Sequence, residues 1–253
     1  MKVLVRILAV VGGLVIVGLL AGVGIWGLVH LGRGSVPAKT ILEVDLEKGI
    51  AENMPDDPIG ALMNRDTPTL KDLVDALEKG AKDDRVVGLV AKVGVSSIGM
   101  AQIQELRDAV TAFRASKKPA VAFAETFGEV GPGGGAYYLA TAFDEIWLQP
   151  SGDIGLTGII LESPFLRGTL DKLGIQPRMD HRHEYKNAMN LFTDKKYDPY
   201  YREAMEKLMN SWFSQMVSGI SRSRHLTEAQ VRSLVDRGPF LGKEAVDAGL
   251  VDG

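Results

Sequence analysis

Val86-Val87-Gly88-Leu89-Val90-Ala91-Lys92-Val93 holds a single charge in eight residues. A run this short and this apolar reads as a buried strand of a parallel sheet. On its N-terminal side, Leu70 to Ala81 places apolar residues at helical spacing, with Thr67 and Pro68 as start signals. On its C-terminal side, Met100 to Ala115 returns to helical spacing. Further out, Thr40 to Leu46 alternates as a strand, Pro119 to Ala124 reads as the next short strand, Gly135 to Phe143 as a helix, and Glu145 to Leu148 as a strand containing Trp147. This alternation predicts an α/β layered fold with parallel pairing. Ile175 to His183 reads as one more strand. Pro199 to Ser221 reads as a long helix with Tyr200, Met205, Leu208, Met209, Trp212, Phe213 and Met216 on its apolar side, a stripe expected to pack rather than bind a ligand. Short helices over Glu228 to Asp236 and Lys243 to Ala248 close the chain, and no solenoid period is visible.

The N-terminus has a different character. From Ile7 to Val29 no residue carries a formal charge, and a bilayer needs ~20 apolar residues to be crossed. Residues 7–31 are therefore expected to form a transmembrane signal anchor. The competing reading is a cleaved signal peptide with Val36 and Ala38 at the cleavage site, although secretory apolar regions usually run only ~7–15 residues. Lys2 and Arg6 precede the span, so residues 1–6 are expected in the cytoplasm and the main domain on the extracytoplasmic, periplasmic side of the inner membrane; Arg33 and Lys39 act against this bias. Residues 32–39, rich in Gly, Ser and Pro, read as a linker, and residues 40–253 as one module. Gly18 and Gly22 form a GxxxG pair, a spacing that also arises because glycine is common in membrane helices.

The net charge of −3 offers no broad attraction to a phosphate backbone, so nucleic acid is not an expected partner. The absence of cysteine excludes disulfides, thiolate nucleophiles and Cys-based zinc sites. Gly131-Pro132-Gly133-Gly134-Gly135-Ala136 satisfies GxGxxG/A formally. The connection before it is too long for the tight turn of a dinucleotide site, and no Lys-Ser or Lys-Thr follows, so the expected use of these glycines is close packing of a helix start. His181-Arg182-His183-Glu184 supplies no third metal ligand and reads as a solvated strand end. Ser96 and Ser97 are expected to cap the following helix. On the Ile175–His183 strand and its continuation, Arg182, Glu184 and Lys186 alternate onto one face. Arg182 would lower the basicity of Lys186 and Glu184 would raise it. No cofactor is expected.

Several segments taken together resemble the signal peptide peptidase A family, in particular the N-terminal module of its long, two-module form. They are Ala136-Tyr137-Tyr138-Leu139-Ala140, Asp144-Glu145-Ile146-Trp147-Leu148-Gln149-Pro150, Gly155-Leu156-Thr157-Gly158, Glu184-Tyr185-Lys186-Asn187-Ala188 and the closing Ala245-Val246-Asp247-Ala248-Gly249-Leu250-Val251-Asp252. The resemblance, over Lys39 to Gly253, implies a Clp-protease/crotonase fold, a superhelix of ββα units behind one transmembrane helix. It also implies serine-type peptide hydrolysis by a Ser/Lys dyad, with Lys186 at the general-base position. The nucleophile position of one-module members falls on Gly134, and the oxyanion glycines would fall near Val93-Gly94-Val95-Ser96, where no Pro-Gly-Gly occurs. Both departures match a module that donates the lysine while a second module or subunit supplies the serine. This half is then expected to be inactive alone. The resemblance further implies hydrophobic signal-peptide remnants as substrates and a bowl-like homo-tetramer at the membrane. Two other functions compete: a non-catalytic membrane-tethered scaffold, in which Lys186 is dispensable, and acyl-CoA chemistry on the shared fold, which the apolar N-terminus opposes.

Overall fold

The computed structural model describes residues 12, 15–24, 36–53, 67–94, 98–129 and 133–253. Met1–Thr40 and Ile41–Gly253 are separate compact units. In the first, residues 15–24 are helical and their large apolar side chains are exposed. The rest of the expected 7–31 span lies outside the described residues, and no described helix is long and apolar enough to cross a membrane.

In the second unit the expected alternation is present. The order is β1 (Thr40–Asp45), α1 (Leu70–Lys82), β2 (Val86–Lys92), α2 (Met100–Arg114), β3 (Ala120–Ala124), α3 (Gly134–Ala140) and β4 (Glu145–Leu148). The strands make a four-stranded sheet ordered β1-β2-β3-β4, with β2, β3 and β4 parallel. Each β–helix–β crossover returns the chain to the adjacent position, as a right-twisted sheet with covering helices favours.

Helix α1 begins where the sequence indicates. Thr69 Oγ1 accepts from Asp72 N at 3.0 Å, and Asp72 Oδ2 accepts from Thr69 N at 3.3 Å, a reciprocal capping box. Helix α2 is headed by Gly99, whose N–H reaches Gln102 Oε1 at 3.0 Å. The expected cap residues Ser96 and Ser97 lie outside the described residues.

The sheet departs from the expected double burial. Ala120, Ala122, Ala124, Ile146 and Leu148 point into the core beside Leu89 and Ala91, beneath α1 and α2. The opposite face carries the cross-strand rows Val90–Val121–Glu145 and Lys92–Phe123–Trp147, of which Val90, Phe123 and Trp147 are 37–47% exposed. A nearly all-apolar run therefore has only one face fully covered among the described residues.

After β4 come β5 (Asp153–Ile154), α4 (Arg167–Lys172), α5 (Asn190–Thr193), α6 (Pro199–Arg224), α7 (Glu228–Arg237), β6 (Phe240–Leu241) and α8 (Gly242–Asp247). Strands β5 and β6 form a small antiparallel pair. The strand expected over Ile175 to His183 does not form; this segment is irregular and mostly exposed. Helix α6 buries only Met216, Val217, Gly219 and Ile220 near its C-terminal end, whereas Tyr200 and Leu208 of the expected apolar stripe are exposed.

The end of the chain is fastened to the sheet. Asp252 N donates to Ile146 O and Leu148 N to Gly253 O, each at 2.9 Å, so residues 252–253 pair with the outer edge of β4. Tyr137, fully buried, donates from its hydroxyl to Leu250 O at 2.7 Å.

Candidate functional site

Lys186 lies in a turn between α4 and α5, not on a strand. Its backbone N–H donates to His183 O at 3.3 Å, closing a turn in which His183 adopts a left-handed φ of 72°. The side chain is exposed and makes no hydrogen bond or ion pair among the described residues. The face shared by Arg182, Glu184 and Lys186 dissolves with the strand. His181 and His183 are exposed too, joined by a 2.7 Å contact between His181 Nδ1 and His183 O, and no metal-holding cluster occurs among the described residues.

What fixes this turn is α6. Tyr185 donates from its hydroxyl to Glu203 Oε2 at 2.8 Å, and its ring meets Tyr200 edge-on with centroids 5.4 Å apart. Lys207 Nζ holds the same carboxylate at 2.6 Å from one helical turn further on. The hydrogen bonds from Lys207 and then Tyr185 keep the Glu203 carboxyl below its ordinary value, while the bond to Glu203 pushes the Tyr185 phenol up. Four residues past Lys186 the chain is tied to α6 again. Asn190, 6% exposed, donates to Asp198 Oδ2, and Asp198 Oδ1 caps the helix by accepting from Tyr200 N at 2.8 Å and Tyr201 N at 3.0 Å. Beside this start Phe165 meets Tyr197 and Tyr201 edge-on, with centroids 5.2 and 6.4 Å apart, and the two tyrosine rings tilt against each other at 4.9 Å.

Gly134, at the nucleophile position implied by the resemblance, is the first residue of α3 and is buried. A Cβ here would lie 3.0 Å from Met216 Cε, the mobile end of a side chain from α6. The neighbouring Gly133 is stricter: a Cβ would fall 0.9 Å from Phe127 O, so the helix start packs directly on backbone. That is the close packing expected of these glycines. Residues 130–132 of the same loop, and residues 95–96 of the expected oxyanion segment, lie outside the described residues.

The resemblance named Lys186 and Gly134, and nothing in the sequence marked Tyr185, Glu203 and Asn190 as the residues that hold the lysine-bearing turn. The pairing of Tyr185 with Glu203 spans 18 residues, and no local spacing rule signals a contact between a turn and a helix that far on.

The chain matches the model of Peptidase family S49 over residues 112–253. It is 28% identical over 257 residues to Protease 4 of Salmonella typhi, covering 92% of this chain and 40% of that protein. It is 25% identical over 183 residues to "Serine protease SPPA, chloroplastic" of Arabidopsis thaliana, covering 72% and 26%. Protease 4 of Haemophilus influenzae is 24% identical over 161 residues, covering 63% and 25%. The chain thus spans a quarter to two fifths of the length of these relatives. An enoyl-CoA hydratase/isomerase family protein from Silicibacter pomeroyi superposes with a TM-score of 0.27 at 16% identity, covering 79% of this chain and 93% of that one; the α/β fold is argued from the sheet itself.

Proposed function

The chain belongs to peptidase family S49, and from that premise we propose that it is the lysine-bearing part of a membrane-anchored serine-type endopeptidase. Lys186 takes the proton of a serine hydroxyl carried by a second module or subunit as the serine oxygen bonds to the scissile carbonyl. The same ammonium then protonates the departing amine, and water later releases the acyl group. Backbone amides of the serine-bearing module hold the oxyanion. The substrates are hydrophobic signal-peptide remnants, the apolar segment 7–31 tethers the module at the membrane, and the main domain lies on the extracytoplasmic side. A Clp-protease/crotonase superhelix assembled as a homo-tetramer is the architecture proposed for the whole enzyme.

One observation carries the reading: Lys186 stands within the matched span on a turn that Tyr185 and Asn190 tie to α6, with its amine left without a partner among the described residues. A lysine acts as a base only where burial or nearby cations strip its proton. The surface that brings the serine must therefore also cover Lys186. The same exposure suits a second reading, a membrane-tethered scaffold with no catalytic lysine.

A fluorogenic-peptide assay of the detergent-solubilised chain, alone and mixed with a separately made serine-bearing module, tests the choice. The expected result is hydrolysis only in the mixture, reduced about 10³-fold or more by Lys186→Ala. Equal activity with alanine makes the chain a scaffold. Hydrolysis by the isolated chain overturns the division of the dyad.

A further inference from the structure

A groove of ≈ 610 Å³ between α2, α6 and α7 is lined by Arg107, Arg222 and Arg232. Its floor is Tyr138, 6% exposed, which α6 approaches closely because Gly219 has no side chain; a Cβ there would sit 2.3 Å from the ring. Arg107 stacks on that ring, its Cζ 3.9 Å from the centroid, and donates to Thr141 Oγ1 at 2.7 Å and to Tyr138 O. Arg222 donates to Ser218 Oγ at 2.9 Å, and Arg232 lies over the ring of Phe213 at 5.1 Å. Every one of these partners is neutral.

None of the three guanidiniums forms an ion pair among the described residues, although Asp108 and Glu228 line the same groove. Burial pulls Arg107 below its ordinary basicity and the charge of Arg222 adds to that effect, while Tyr138 and the charge of Asp108 oppose it in part. Arginine does not give up its proton in proteins, so three cations against the two carboxylates of Asp108 and Glu228 leave the groove with a net positive charge.

We propose that this groove is a binding site for a phosphate group, held by Arg222 and Arg232 with Arg107 behind them. A carboxylate brings one charge and two acceptors in a plane. A phosphate dianion brings up to two charges and three outward oxygens, which suits donors arriving from three helices. The phosphate comes either free or as the headgroup of an anionic lipid. The site is independent of the chemistry assigned to Lys186.

The test is calorimetric titration of the full chain, in neutral detergent at pH 7.5, with inorganic phosphate against chloride at matched ionic strength. Arg222→Gln and Arg232→Gln are compared with Lys243→Gln, a control on the distant helix α8, and thermal melts confirm that each variant folds. Saturable phosphate binding is expected, weakened about tenfold or more by either arginine substitution and unchanged by the control. Arg232→Lys, which keeps the charge but not the fork, should fall between. Heats equal to those of chloride, or binding indifferent to both arginines, overturn the site. Monomeric dihexanoyl phosphatidic acid separates the sources: binding at least about tenfold tighter than phosphate identifies a lipid headgroup, and equal binding identifies the phosphate alone.

Discussion

Lys186 inherits its position from its neighbours, because its own side chain makes no hydrogen bond or ion pair among the described residues. Tyr185 carries most of that task, through one hydrogen bond to Glu203 and one edge-on contact with Tyr200. Tyr185→Phe keeps the ring and deletes the bond. Hydrogen exchange over residues 183–188 is expected to speed up about three- to tenfold, with the thermal midpoint almost unmoved because the residue is exposed. In the assembled peptidase the same change should lower kcat more than it raises KM. Unchanged exchange in Tyr185→Phe would deny the clamp whatever the activity shows. Tyr197 presents the opposite case: its buried hydroxyl has no partner among the described residues. An unmade bond at a buried polar atom costs about 1–3 kcal/mol, so Tyr197→Phe is expected to stabilise the chain by about 1 kcal/mol in urea denaturation. Neither residue was legible in the sequence. Tyr185 stands out only as a neighbour of Lys186, and the value of Tyr197 depends on a ring cluster that also needs Phe165, more than thirty residues away.

Elements were legible where local rules and tertiary packing agree. Helices α1, α2, α6 and α7 start at a Thr, Gly or Asp cap and lie within a few residues of their expected bounds, because capping and periodicity both act within one turn. Ile175 to His183 failed because a strand also needs an edge to pair with. Pro177 removes one donor from this run, and residues 252–253 already occupy the outer edge of β4. The nearly all-apolar β2 misled in another way, since its composition resembles that of a strand covered on both sides while the described helices cover one. The strongest element-level dependence is at the start of α6. Asp198 caps the helix and also accepts from the buried amide of Asn190. Asp198→Ala removes a cap, at about 1 kcal/mol, and strands a buried donor, at about 1–3 kcal/mol. A loss of about 2–4 kcal/mol is expected in urea denaturation, together with faster exchange in the lysine-bearing turn. A loss confined to a few tenths would show that α6 and the turn are not coupled through Asp198.

At the scale of the molecule, α6 connects two places that the sequence shows as unrelated. Its N-terminal half holds the turn of Lys186, and its last residue, Arg224, holds the chain's end. Arg224 donates to Gly249 O at 2.9 Å and forks onto both oxygens of Asp252 at 2.9 and 3.1 Å, while Asp252 Oδ2 also accepts from Ile146 N at 2.8 Å. The alternation of strands and helices was enough to read the parallel sheet. The fastening of the tail was not, because its partners lie 28 and 106 residues away. Burial raises the Asp252 carboxyl, but the bonds from Arg224 and Ile146 N outweigh it and hold the group below its ordinary value. A depressed carboxyl contributes stability that is fully present above the unfolded value of about 3.9 and is lost as pH falls through the folded one. The Asp252 contribution to the thermal midpoint should therefore be full and independent of pH near pH 7 and decline below about pH 4. Asp252→Asn is expected to be less stable at neutral pH and to lose less on acidification, so the two melting curves converge toward pH 2. Parallel declines in the two proteins would show that the tail is held by Tyr137 and the β4 pairing without help from the charge.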